Sequence, residues 1–236
     1  MVVKIPKFFL VLAVFLLLLC ICVTNTGDFA KQVVHLNPEH VLIIDPGHGG
    51  DDGGAVIEGS NIKESEINLL ISQKLEKLCH LYGINTVMTR DSDNINYPAG
   101  DNSIALRKKA DQNARLELIW DYPGAILYSI HQNYYPSASP FGPQVLYGHD
   151  VESNELGILL QNNLLTSISP QSRRVAAEIN QNIYLLKHCR CTSVLIECGF
   201  LSNPREAMLL QDEVYQRKIA SVLAATYLQF MARKSE

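Results

Sequence analysis

Beyond residue 39, the chain alternates between two patterns of hydrophobic and polar residues. Short apolar runs rich in β-branched residues, such as Val41–Asp45 and Ala125–Ile130, have no polar alternation, which is typical of strands buried on both faces. In other segments, such as Ile67–Leu78 and Ile104–Leu118, apolar residues recur at the spacing of a helix. Further segments of both kinds are predicted: strands at Asn85–Arg90, Gln144–Tyr147, Ile183–Leu186 and Val194–Glu197, and helices at Glu152–Ser167, Pro204–Leu210 and Glu213–Phe230.

Strands that alternate with helices predict an α/β fold, a single domain whose mostly parallel central sheet is flanked by helices. Residues 40–236 contain no composition break, internal repeat or low-complexity tract, so we expect them to form one domain. Residues 27–39 are predicted to be a linker. With 47% hydrophobic and 19% charged residues, the chain has the composition of a folded globular protein.

The first 26 residues have the features of an export segment. Lys4 and Lys7 precede an apolar run from Phe8 to Val23, the order found in secretory signals. The run is longer than a usual signal-peptide core and short for a membrane-spanning helix, which needs roughly 17–25 residues. A cleaved export signal and a retained N-terminal membrane anchor both stay open, and both predict an extracytoplasmic protein.

Charge and cysteine content narrow the functional classes. The formal net charge is −4, which argues against a nucleic-acid partner because phosphate backbones are bound by clustered basic residues. Outside the export segment the cysteines are Cys79, Cys189, Cys191 and Cys198. They lack the paired C-x-x-C spacing of a zinc knuckle, so free thiols are favoured over one disulfide.

Four polar side chains are predicted to meet at one edge of the sheet. His48 follows the first strand, His131 the third, Glu197 closes a late strand, and Glu64 lies near the start of a helix that begins at the same edge. Two imidazoles and one carboxylate form the ligand set of an open catalytic zinc site, and the second carboxylate can act as general base. The pattern alone leaves ordinary surface, packing and capping roles open for each of the four.

Five motifs in order resemble the zinc-dependent N-acetylmuramoyl-L-alanine amidases of the amidase-3 class, from about Val41 to Phe230. The motifs are Ile44–Gly50, Glu64–Leu69, Thr89–Arg90, Ser129–Asn133 and Glu197–Pro204. The resemblance implies that His48, Glu64 and His131 hold one Zn²⁺ ion and that Glu197 is the catalytic carboxylate. It also implies cleavage of the amide bond between N-acetylmuramic acid and L-alanine in peptidoglycan.

Within that class, the short single-domain chain with an export segment is similar to the CwlD-type sporulation amidases. This likeness implies removal of stem peptides before muramic-δ-lactam formation in spore cortex, at the forespore surface. Since no wall-binding repeat is present, a membrane-surface or secreted protein that targets or activates the chain is an expected partner beside the glycan strand.

Two other functions stay open from the sequence. One is a hydrolase that uses Cys198 as nucleophile, and the other is a non-catalytic peptidoglycan-binding module. Arg90 is expected either to pair with a carboxylate of the substrate peptide or to form a structural ion pair, because its guanidinium suits both.

Overall fold

The computed structural model describes residues 40–95, 97, 103–179 and 183–234. The predicted export segment 1–26 and linker 27–39 lie outside the described residues. Within the described ranges, none of the helices combines the length and the apolar character needed to cross a membrane.

The described residues contain one mostly parallel sheet, which confirms the predicted α/β fold. The strands are β1 (Val41–Pro46), β2 (Asn85–Met88), β3 (Ile126–Asn133), β4 (Gln144–Tyr147), β5 (Ala177–Glu178) and β6 (Thr192–Phe200). They follow the order β2-β1-β3-β6-β4-β5 across the sheet. The neighbouring strands β2, β1, β3 and β6 run parallel to one another, and β4 runs antiparallel to β6.

Helices cover both faces of the sheet. The helices are α1 (Glu64–Leu81), α2 (Ile104–Trp120), α3 (Val151–Ser167), α4 (Tyr184–His188), α5 (Pro204–Gln211) and α6 (Glu213–Lys234). On one face, α1, α3, α5 and α6 share a core with alternate residues of the central strands, for example Ile44 and Ile196. On the other face, α2 and α4 pack on the intervening residues, for example Ile43 and Leu195. Burial on both faces explains why the central strands are apolar without alternation.

The predicted strand at Ile183–Leu186 is wrong, because Ile183 is the N-cap of the short helix α4 and the other three residues lie in its first turn. A run of four apolar residues does not distinguish a buried strand from a buried helical turn. Here Leu185 and Leu186 are buried against the sheet face that α2 also covers. The two-residue strand β5 was not predicted, since it adds only an edge pairing to β4.

Candidate metal centre and active site

The first predicted ligand, His48, lies in the turn that follows β1. Its φ is 61°, a left-handed conformation that residues other than glycine rarely adopt. Main-chain hydrogen bonds hold the turn: Gly47 N donates to Ile130 O at 2.9 Å, and Gly49 N donates to Asp52 O at 2.8 Å. The His48 ring is thereby brought to the end of β3.

The second predicted ligand, Glu64, is the first residue of α1 and is only 4% exposed. Its Oε2 accepts a hydrogen bond from Ala55 N at 3.0 Å. Its Oε1 accepts hydrogen bonds from Gln132 N at 3.1 Å and from Asn68 Nδ2 at 3.3 Å. The carboxylate points inward, as its position on the core-facing side of the helix predicts, and it is fixed from several directions.

The three predicted metal ligands meet around one oxygen of Glu64. Glu64 Oε1 lies 3.3 Å from His48 Nε2 and 3.1 Å from His131 Nδ1. The two imidazole rings meet edge to face, with centroids 4.9 Å apart and an interplanar angle of 74°. One donor atom from each residue lies within 4.8 Å of the others, a geometry suited to a metal ion. Two imidazole nitrogens and a carboxylate oxygen fit the donor set of an open zinc site.

The electrostatics of this cluster favour a positive charge at its centre. Burial by itself lowers the pKa of His48, but hydrogen bonds to Asp52 and Glu64 outweigh burial and raise that pKa to about 9. Burial raises the pKa of Glu64, but His131 and His48 together hold it well below its usual range. Carboxylates that stabilise a protonated imidazole in this way also stabilise a divalent cation.

His131 is tightly packed against the main chain of the turn. It lies within β3, not after the strand as the sequence suggested. A Cβ atom on Gly47 would come within 2.2 Å of His131 Nε2. Glycine at position 47 is therefore required for the imidazole to occupy its place beside Glu64.

Asp52 contacts the opposite edge of the His48 ring. Its Oδ2 lies 3.0 Å from His48 Nδ1 and 2.8 Å from Nζ of Lys108 on α2. With Nδ1 engaged in this way, Nε2 faces Glu64. A carboxylate in this place typically fixes the orientation of a metal-binding histidine. Asp52 has no sequence signal for this role, because only the fold brings it to the ring.

Glu197 lies beside His131 in the parallel pairing of β3 with β6, so both side chains are on one face of the sheet. Its Oε2 is buried and has no hydrogen-bond partner within the described residues. Burial raises the pKa of Glu197 to about 7, although attraction to His131 acts against this and repulsion from Glu64 adds to it. A carboxylate with a pKa near neutrality can both accept and return a proton.

Buried Arg115 of α2 forms hydrogen bonds with the main chain of the His48 turn. Its Nη1 donates to Asp45 Oδ1 and to Pro46 O, both at 2.8 Å. Its Nη2 donates to His48 O at 2.6 Å. An arginine in the middle of a helix gave no sequence signal for this role, which depends on the packing of α2 on the sheet.

Arg90 is also buried, and within the described residues it forms no ion pair with a carboxylate. Its guanidinium donates to Pro46 O at 2.9 Å, to Gly47 O at 3.1 Å and to Ser65 O at 2.8 Å. Its donors are therefore used by main-chain carbonyls that join β1 to the start of α1. At 8% exposure, it is a support of the turn and not a contact for a substrate carboxylate.

Cys198 has the surroundings of a core residue. It is 1% exposed and belongs to the core on the face opposite Glu197. Its Sγ lies 3.8 Å from Ile196 O, and burial raises the pKa of the thiol far above its usual value. A nucleophilic cysteine needs a lowered pKa or an aligned base, so the geometry disfavours the thiol-hydrolase alternative.

A cavity of about 190 Å³ adjoins the cluster on the α2 and α4 side of the sheet. Its walls include His48, His131, Lys108, Tyr184 and Leu186. Both helices on this face therefore contribute to the wall of the cavity.

Comparison with known proteins connects this geometry with a reaction. A family model described as N-acetylmuramoyl-L-alanine amidase matches residues 42–226. The germination-specific N-acetylmuramoyl-L-alanine amidase of Bacillus subtilis is 34% identical over 197 residues, which are 83% of this chain and 81% of that protein.

Two solved structures are similar to this chain. The CwlD amidase from Clostridioides difficile, solved in complex with the GerS lipoprotein, matches with a TM-score of 0.78 and 33% identity over 82% of this chain and 98% of that one. An N-acetylmuramoyl-L-alanine amidase of Nostoc punctiforme is similar in fold, with a TM-score of 0.70 and 24% identity over 84% of this chain and 99% of that one.

Proposed function

Because the chain belongs to the N-acetylmuramoyl-L-alanine amidase family, we propose that it cleaves its amide substrate with one zinc ion held by His48, Glu64 and His131 and with Glu197 as catalytic carboxylate. The substrate is peptidoglycan, in which the scissile bond joins N-acetylmuramic acid to L-alanine. The observation that carries the assignment is the convergence of three donor atoms within 4.8 Å, one of them on His131, which is paired with Glu197 across β3 and β6.

The chemistry divides between the metal and the carboxylate. Zinc, when bound, supplies Lewis-acid polarisation of the scissile carbonyl. Glu197 accepts a proton from the attacking water and returns it to the leaving amine of L-alanine. Both steps suit a carboxylate whose burial brings its pKa to about 7. Asp52 fixes the orientation of the His48 ring, and His131 is positioned by the strand β3. The metal donors are therefore oriented before substrate binds.

Metal content and turnover measured on the same preparations test this mechanism. The purified protein should contain about one zinc per chain; a chelator should abolish cleavage of muramoyl peptides, and zinc should restore it. Glu197→Gln should retain zinc and lose at least about 10²-fold in kcat, the usual contribution of a general acid–base. Glu213→Gln, an equal change at an exposed helix residue paired with Arg217, is the matched control.

The same assay separates the alternatives. Loss of activity on thiol alkylation, with no effect of the chelator, would favour a Cys198-dependent hydrolase. Binding of murein without cleavage by the zinc-loaded protein would favour a non-catalytic module. Full turnover by Glu197→Gln would remove Glu197 from the catalytic role.

We also propose a place for the reaction in the cell. A germination-specific amidase and CwlD are among the similar proteins, which supports removal of stem peptides before muramic-δ-lactam formation in spore cortex. Residues 1–26 then deliver residues 40–236, the zinc amidase domain, to the forespore surface as signal or anchor. Muropeptide analysis of spores from a deletion strain should show cortex without muramic-δ-lactam, and normal cortex would contradict this role.

We further propose that a second protein binds this chain and targets or activates it. The similar CwlD structure contains the GerS lipoprotein, which supports a membrane-surface or secreted protein that targets or activates this chain. Pull-down with the full-length Glu197→Gln chain from sporulating cells should recover such a protein. Recovery of none, together with full activity of the isolated chain on purified cortex peptidoglycan, would contradict a required partner.

A further inference from the structure

Two half-buried cysteines lie away from the catalytic carboxylate, where α4 ends and β6 begins. Cys189 caps α4, and its N–H donates to Leu185 O at 2.9 Å. Cys191 directly precedes β6. The other two cysteines of the described ranges, Cys79 and Cys198, are 0% and 1% exposed. Among the described cysteines, Cys189 and Cys191 are therefore the two that solutes can reach.

The two cysteines contact each other. Cys189 Sγ lies 3.3 Å from Leu186 O and 3.8 Å from Cys191 O. Both line an open cavity of about 380 Å³ with Gly148 and His149. Interaction with the Cys191 side chain, against the effect of burial, lowers the pKa of Cys189 to about 7, which favours the reactive thiolate.

The surrounding fold anchors both sides of the pair. On the β6 side, Ser193 N donates to Ser153 Oγ at 2.8 Å. On the α4 side, Trp120 Nε1 donates to His188 O at 3.2 Å. Only Arg190 separates the two cysteines, so the anchored segments keep both sulfur atoms at the mouth of one cavity.

We propose that Cys189 and Cys191 are a redox-active dithiol that exchanges with low-molecular-weight disulfides outside the cytoplasm. The Cys189 thiolate attacks one sulfur of the external disulfide, which breaks the S–S bond and releases one thiolate. The Cys191 sulfur, after losing its proton, then attacks Cys189 Sγ and releases the second thiol. One external disulfide is reduced to two thiols while the two protein thiols are oxidised to one intrachain disulfide. Accessible disulfides of this kind are the ones that reduce easily.

Peptide mapping of the full chain tests the proposal without reference to amidase activity. The protein is equilibrated in reduced and oxidised glutathione, quenched with iodoacetamide and digested with trypsin, which cleaves after Lys187, Arg190 and Arg205. In the oxidised buffer, peptides 188–190 and 191–205 should be joined by a disulfide that excess reduced glutathione removes. Cys79 and Cys198 should react with iodoacetamide only after unfolding, which shows that the protein was folded.

Single serine variants are the matched controls. Cys191→Ser should give a glutathione adduct on Cys189 in place of the joined peptides, and Cys189→Ser should give no joined peptides. Joined peptides in Cys191→Ser would identify Cys198 as the partner and overturn the proposal. Two free thiols or two glutathione adducts in the native chain would also overturn it.

Discussion

Replacing Arg115 by methionine removes one partner of a buried ion pair beneath the metal centre. The side chains of Arg115 and Asp45 are 5% and 3% exposed, and Nη1 lies 2.8 Å from Oδ1. Removing one partner of such a pair typically destabilises a protein by about 3–5 kcal/mol, because the other charge stays buried. Asp45 keeps hydrogen bonds from Thr89 and Ser129, each at 2.6 Å, so we expect the lower end of that range.

The pH dependence of this loss identifies its cause. In the native protein, burial raises the pKa of Asp45, but Arg115 and hydrogen bonds from Ser129 and Thr89 together lower it below its usual value. The native carboxylate therefore contributes stability above its unfolded pKa of about 3.9 and loses it as the pH falls further. Without Arg115, burial dominates and favours the protonated acid. The difference in stability between the two proteins should consequently shrink as the pH is lowered from 7 to 5.

Urea unfolding in the presence of a chelator measures the stability without the contribution of bound metal. Zinc affinity, measured by competition with a chromogenic chelator, should fall about 10- to 100-fold in Arg115→Met, because the His48 carbonyl loses its 2.6 Å donor. Adding Asp45→Asn removes the stranded charge and should restore at least about 1 kcal/mol, within the range seen for contacting pairs. A loss below about 1 kcal/mol with unchanged zinc affinity would refute the role of Arg115 in holding the His48 turn.

Three further substitutions test the roles of individual residues. Gly47→Ala should weaken zinc binding at least about tenfold, since the added Cβ would displace His131. A native zinc affinity of this variant in equilibrium dialysis would contradict this packing. Asp52→Asn should weaken zinc binding about 10- to 100-fold, whereas Asp51→Asn, which alters an exposed residue, should leave it nearly unchanged, and equal effects would argue against an orienting role. Cys198→Ser should retain turnover while losing about 1–2 kcal/mol of stability for a buried hydroxyl, and loss of turnover in the folded variant would revive the thiol mechanism.

The parts of the site that the sequence predicts are those fixed by chain direction. Parallel strands end at a common edge, so residues after β1 and near the ends of β3 and β6 come together whatever the loops between them do. Glu64 could be added because its position relative to Ile67 sets its direction on the helix. The candidate ligands and the candidate base therefore followed from topology and a family resemblance.

The supports of the site depend on tertiary approach and have no comparable signal. Arg115 reaches Asp45 across 70 residues of chain, and Lys108 reaches Asp52 from the same helix. A charged residue in a helix is usually solvated, so its pattern does not indicate burial. The misassigned segment at Ile183–Leu186 has the same origin, because four apolar residues are compatible with either buried element.

The turn that carries His48 has the most strained backbone among the three predicted ligands, and this explains why two arginines are buried beneath it. A left-handed residue with a side chain costs about 1–2 kcal/mol, whereas Glu64 and His131 lie on regular elements that need no such strain. Arg90 and Arg115 donate to three successive main-chain carbonyls, from Pro46 to His48. The buried pair of Arg115 with Asp45 adds little stability over apolar residues of equal volume, so the burial of these two arginines is better explained by their contacts with this turn than by a contribution to the stability of the fold.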